Sequence, residues 1–291
     1  MEKKIKLFAN CKCALSESPI WDERDHMLYW RGYDGEVFRK RINDDVEDFE
    51  CFPLNIGKIG SIVIADDDGF LLFAECGKVW KWKPLSEPVL YKDFNKSYFN
   101  DVMVDPKGRV FCGMLPENYF DREKRGKNGS LWMLNEQKQL VCIEDDISQI
   151  PNGIRFSPQM DKMYFAVTDD KCVYRYDYDL QSGELSNKTV FVTGYYPDGI
   201  AMDCEGNLWV TDSGKSLSLR CYTPEGELRE DIYIPEHRTI SVAFGGEGRR
   251  YVFVTTAPEN PLKSNGGQVY WFDAEIAGAE EFVFRLKEER S

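Results

Sequence analysis

The chain has 291 residues, 42% hydrophobic and 14% aromatic, with a formal net charge of −13 at pH 7. That content supplies a substantial core, and the charge repels nucleic acid phosphates and anionic membrane surfaces, so neither is an expected partner. No apolar run nears the ~20 residues of a membrane-spanning helix, and the charged opening Met1–Lys6 lacks the apolar stretch of a secretory signal.

No Pro/Gly/Ser-rich linker or low-complexity tract divides the sequence, so residues 1–291 read as one domain. Nine cysteines stand without a C-x-x-C pair. They read as reduced thiols of a cytoplasmic protein, in which the sequons at Asn95, Asn128 and Asn187 go unused.

In chain order, IKLFA (5–9) reads first as an outer strand. A repeated unit follows, in which an apolar strand, a polar turn and a second aromatic-rich strand succeed one another. Its instances are SPIWDERDHMLYW (18–30), SIVIADDDGFLLFA (61–74), DVMVDPKGRVFCGM (101–114), GIRFSPQMDKMYFAV (153–167), GIAMDCEGNLWVTD (199–212) and SVAFGGEGRRYVFVT (241–255). The turn residues Asp22, Asp66, Asp105, Ser157, Asp203 and Gly245 are 44, 39, 52, 46 and 42 residues apart. A third strand follows each pair (EVFRK, KVWKW, SLWML, CVYRY, SLRCY, QVYWF), and a fourth reads at FECFPL, PVLYKDF, LVCIED, TVFVTG and EDIYIP. Four strands per unit, six times over, predict an all-β, six-bladed β-propeller with four-stranded antiparallel blades around a central channel. One terminal segment completes the sixth blade. Joining both chain ends resists fraying, so IKLFA is expected there and EFVFRL (281–286) becomes an appendage. Ring closure leaves no long edge strand, which fits a monomer.

The first strand of each blade lines the channel of a propeller, so its opening residues share one mouth. Counting five residues back from each turn residue gives Glu17, Ser61, Asn100, Asn152, Asp198 and Ile240. Buried carboxylates and carboxamides without partners are costly. One reading is that Glu17, Asn152 and Asp198 hold a divalent metal ion through hard oxygen donors, most suitably Ca²⁺, with Zn²⁺, Mn²⁺ or Mg²⁺ as other candidates. The other is that Asn-Gly and Asp-Gly are ordinary turn dipeptides bonded to backbone.

The segments SESPIWD, FNDVMVDPKGRV, IPNGIRFSP and YPDGIAMDCEGNLWV resemble, in order and spacing, the signature segments of the SMP-30/gluconolactonase/LRE-like family. The resemblance implies a six-bladed propeller with one divalent ion at the hub and hydrolysis of sugar-derived lactones. It implies Glu17, Asn152 and Asp198 as ligands, Asp198 also as general base, and Asn100 as a contact to substrate and to water on the metal. Where members carry a substrate-binding arginine, this chain has Tyr98, with Lys96 two residues further back. A phenol does not replace a guanidinium fork, so a simple aldonolactone is not implied.

Long loops after the second strand overhang the metal face. They are MLPENYFDREKRGKN (114–128) in blade three and TAPENPLKSNG (256–266) in blade six, both expected substrate walls. Glu117 and Asn118 fall where the resemblance puts an acidic substrate contact. Arg122, Lys124, Arg125 and Lys127 read as a solvated charge run. His26 and His237 read as surface residues. The expected function is metal-dependent hydrolysis of a small-molecule lactone; the alternatives are a calcium-binding regulator without turnover, or an esterase or lactonase for a non-sugar substrate.

Overall fold

The structure, a computed structural model, describes residues 3–67, 69–214, 216–235, 238–258 and 266–286. The seven residues 259–265 of the expected blade-six wall, and His237, lie outside the described residues.

The chain begins with β1 (Lys6–Cys13). Blade one is β2 (Glu17–Asp22), β3 (Met27–Arg31), β4 (Glu36–Arg41) and β5 (Glu50–Pro53). Blade two is β6 (Ile59–Ile64), β7 (Phe70–Ala74), β8 (Lys78–Trp82) and β9 (Val89–Asp93). Blade three is β10 (Phe99–Val104), β11 (Val110–Met114), β12 (Gly129–Leu134) and β13 (Leu140–Ile147). Blade four is β14 (Pro151–Phe156), β15 (Lys162–Val167), β16 (Cys172–Tyr178) and β17 (Leu185–Thr193). Blade five is β18 (Pro197–Met202), β19 (Leu208–Asp212), β20 (Ser218–Tyr222) and β21 (Leu228–Tyr233). Blade six is β22 (Arg238–Gly245), β23 (Tyr251–Ala257) and β24 (Gly267–Asp273), completed by β1. Six four-stranded antiparallel sheets result, as the repeat predicts.

Burial falls from hub to rim. β6 and β18 are buried at every position, whereas β5 and β9 are mostly exposed. Inner strands meet neighbouring blades and the channel, so they are apolar almost continuously; outer strands face water and carry charge. The core lies between blades. Blades two and three share Val63, Leu71 and Phe73 packed with Phe99, Val102 and Val110.

The repeated turn aspartates tie the turns that join first and second strands. Asp105 accepts from the backbone N–H of Lys107 and Arg109 and pairs with the Arg109 guanidinium. Asp203 accepts from the N–H of Glu205 and Asn207. Each carboxylate satisfies turn donors that no strand partner reaches.

The N-terminal strand closes the ring. β1 pairs antiparallel with β24, Lys6 opposite Trp271 and Leu7 opposite Tyr270. Phe8 is buried edge-on to Phe253 at 4.9 Å and to Trp30 at 6.3 Å, so it joins blades six and one. The segment 281–286 is an appendage of another kind than the strand-like sequence suggested. It ends a strap, with Phe284 fully buried and bridged to Ala65, and with Gly278 ahead of the segment bridged to Asp203. All nine cysteines are unpaired. No helix among the described residues is long and apolar enough to cross a membrane.

Candidate functional site

Each innermost strand carries a one-residue register shift near the start: Glu17/Ile20 in β2, Ile59/Ser61 in β6, Phe99/Val102 in β10, Pro151/Ile154 in β14, Pro197/Ile200 in β18 and Thr239/Ser241 in β22. A bulge bends the strand and re-aims a side chain. Asn100, Asn152 and Asp198 all sit within these bulges. Glu17 stands one residue ahead of its own, a difference from the equal phase that counting along the sequence gives. Ser18 follows it with a positive φ of 50°, which turns the chain at that point.

Asn152-Gly153 and Asp198-Gly199 are therefore not turn dipeptides. A Cβ on Gly153 would lie 2.6 Å from the Ile200 nitrogen, and one on Gly199 would lie 2.6 Å from Cα of Ser241. The glycines let adjacent inner strands meet, backbone against backbone.

Three of the bulges and the start of β2 bring four predicted residues to one cavity of about 160 Å³ at the channel mouth: Glu17, Asn100, Asn152 and Asp198. All four are buried, and Tyr98 lines the same cavity. Asn152 donates through Nδ2 to the Thr168 hydroxyl at 2.7 Å, and Thr168 in turn donates to the Pro197 carbonyl at 2.7 Å. Thr168 thereby fixes the carboxamide with Oδ1 turned to Asn100, whose Nδ2 donates to it and to the Pro151 carbonyl. Tyr98 donates its hydroxyl to the Ile59 carbonyl at 2.9 Å, so the phenol is committed to the scaffold.

Burial pushes the Asp198 carboxyl up to about 8, and the neighbouring Asp101 charge adds to the rise; a hydrogen bond from Ser213 and the cations Arg238 and Arg31 oppose it. Asp101, lower in the channel beside Arg155, is raised by burial as well. Two carboxylates thus share a desolvated channel, which favours a further cation beside Asp198. Two carboxylates and one oriented amide oxygen form a hard donor set that suits a divalent ion.

Sequence reasoning missed Arg31. It ends β3 directly opposite Glu17 in the ladder, is 4% exposed, and its guanidinium pairs with the Glu17 carboxylate. Arg31 also donates through Nε to the Gly60 carbonyl at 2.8 Å. The available signal was a charged residue closing the otherwise apolar run MLYW, but its partner follows only from strand register.

The blade-three loop overhangs the cavity as expected, although different residues reach it. Glu117 and Asn118 are exposed and do not line it, whereas Tyr119 and Phe120 do. The cause is a tight turn: Asn118 has a φ of 51°, and its carbonyl accepts from the Asp121 N–H at 2.9 Å. Arg125 also departs from the solvated run. Its guanidinium lies 4.1 Å from the Tyr119 ring centre and donates to the Tyr119 carbonyl at 2.7 Å, so it braces the loop. Arg122, Lys124 and Lys127 are exposed, and so is His26.

The family model for the SMP-30/gluconolactonase/LRE-like region matches residues 15–258. A pentonolactonase of Haloferax volcanii is 29% identical over 93% of this chain and 94% of its own length. A 6-deoxy-6-sulfogluconolactonase of Pseudomonas putida is 29% identical over 89% of each. Among solved structures, a calcium-binding regucalcin from Agrobacterium tumefaciens superposes with a TM-score of 0.84 at 21% identity, over 98% of this chain and 99% of that one. The chain belongs to the SMP-30/gluconolactonase/LRE-like family.

Proposed function

We propose that this protein is a lactonase that hydrolyses a cyclic ester at the channel-mouth cavity, with a divalent cation held by Glu17, Asn152 and Asp198. The observation that carries the reading is the convergence of those side chains and Asn100, from four blades, on one buried cavity. The relatives named pentonolactonase and 6-deoxy-6-sulfogluconolactonase support the chemistry. The calcium-binding relative supports the cation, with Ca²⁺ as the best match to an all-oxygen donor set. The reading extends to a small-molecule substrate, a cytoplasmic location in keeping with nine free thiols, and a monomer.

A cation bound there supplies Lewis-acid polarisation of the ester carbonyl. Asp198, a buried carboxylate on the cavity wall, accepts the proton of the attacking water. Asn100 presents amide hydrogens to the water or the carbonyl oxygen and holds it in line for attack. Thr168 keeps Asn152 from rotating, so the donor set is pre-formed. Leu115, Tyr119 and Phe120 cover the mouth and limit bulk water. Glu117 and Asn118, exposed on the same loop, meet substrate only at its outer end. Tyr98 contributes a rigid aromatic wall.

The test is a panel of sugar, aliphatic and homoserine lactones assayed by proton release, with and without chelator. The expected result is turnover that chelation abolishes and Ca²⁺ restores. Metal binding without turnover of any lactone would replace the enzyme with a calcium-binding regulator.

A further inference from the structure

Besides Glu17 and Asp198, the cavity wall carries two cations, Arg31 and Lys58. Lys58 opens β6 from just outside it, with its side chain 24% exposed. Its ammonium lies 3.6 Å from the Tyr33 ring centre and 5.5 Å from that of Phe120, and it donates to the Tyr33 carbonyl at 3.4 Å. The nearest carboxylate is Asp34 at 3.7 Å, itself 73% exposed and therefore a weak, screened partner. Aromatic faces thus hold an amino group at the mouth that would otherwise extend into water.

We infer that the substrate is a lactone bearing an oxyanion (carboxylate, sulfonate or phosphate) remote from the ester, gripped by Lys58 with Arg31 behind it. The inference rests on the lactonase reading above and narrows its substrate class. A divalent cation neutralises the two cavity carboxylates, Glu17 and Asp198, and leaves Arg31 without the charge of its partner and Lys58 with only the exposed, screened Asp34. An anionic substituent restores the balance, and an oxyanion presented to an ammonium against a half-dry aromatic wall forms a charge-assisted hydrogen bond. Tyr98 cannot take this part because its hydroxyl is spent on the Ile59 carbonyl. Arg31 and Lys58 thus place positive charge in the cavity from two elements outside the Asn100 strand.

Matched pairs of lactones test the idea. D-galactono-1,4-lactone and D-galactaro-1,4-lactone differ only in a terminal CH₂OH against a carboxylate; D-gluconolactone and 6-phosphogluconolactone make the same comparison for phosphate. The expected result is a kcat/KM about tenfold or more higher for the charged member of at least one pair, with the pair identifying the oxyanion. In Lys58→Met the ratio of charged to neutral falls toward unity. Calorimetry gives a readout apart from turnover: the hydrolysis product galactarate binds the wild-type protein more tightly than galactonate, and Lys58→Met removes the difference. Hydrolysis of both members at equal kcat/KM, or an unchanged ratio in Lys58→Met, overturns this inference and leaves the lactonase reading standing. Hydrolysis of no member by a protein that turns over another lactone of the panel overturns this inference, and turnover of no lactone in the whole panel overturns the lactonase reading itself.

Discussion

At the scale of single residues, Asp198 and Glu17 are both buried carboxylates, yet their surroundings give them different work. Glu17 has a cation across the ladder, whereas Asp198 has a second carboxylate near it and, among the described residues, no ion pair with a guanidinium. Asp198→Asn keeps an oxygen donor but loses the base. Lactone kcat should fall by roughly 10²–10⁴-fold, the range of a general base, while metal content measured by elemental analysis holds. Undiminished kcat would remove Asp198 from the base role. Arg31→Met leaves Glu17 buried without its cation, and breaking a buried pair from one side costs about 3–5 kcal/mol. The metal-free variant should lose that much stability in urea titrations, and added Ca²⁺ should narrow the gap, because a dication neutralises the orphaned carboxylate. Four of the cavity's polar residues (Glu17, Asn100, Asn152, Asp198) were legible from one count along a repeat. Arg31 and Lys58 were not, since neither belongs to a first strand.

Among the structural elements, the innermost strands do the positioning. Their bulges aim Asn100, Asn152 and Asp198 at the cavity, and the glycines after Asn152 and Asp198 let neighbouring blades meet closely. In Gly153→Ala the new methyl would face the Ile200 nitrogen at 2.6 Å and the Asp198 carbonyl at 2.8 Å. Backbone atoms cannot rotate away as a side chain does, so strands β14 and β18 must separate. A loss of about 1–3 kcal/mol is expected, the usual cost of overpacking, together with weaker Ca²⁺ binding by calorimetry. Unaltered affinity would mean that β14 and β18 absorb the methyl without moving Asn152 or Asp198. The repeat showed the existence and order of these strands because an apolar run closed by a polar turn is a local pattern. It could not show that Glu17 sits one residue outside its bulge, because a bulge is defined by the partner strand.

For the whole molecule, the two chain ends do separate jobs. β1 closes the sheet of blade six, and the C-terminal strap crosses between blades on the face away from the cavity. Phe284 is fully buried there among residues of blades two and three. Phe284→Ala should cost about 3–5 kcal/mol by cavity formation, read as a lower urea midpoint, while kcat for lactones stays unchanged. A concurrent loss of kcat would show that the strap couples to the cavity. The sequence itself determined the six-fold repeat and the residues that enter the hub. Each of these follows from patterns repeated within some fifty residues. Only the tertiary structure decided that Arg31 faces Glu17, that Lys58 lies over Tyr33, that Tyr119 and Phe120 rather than Glu117 and Asn118 reach the cavity, and that 281–286 ends a strap. Those contacts depend on register, on loop turns and on closure of the ring, none of which leaves a periodic trace in the chain.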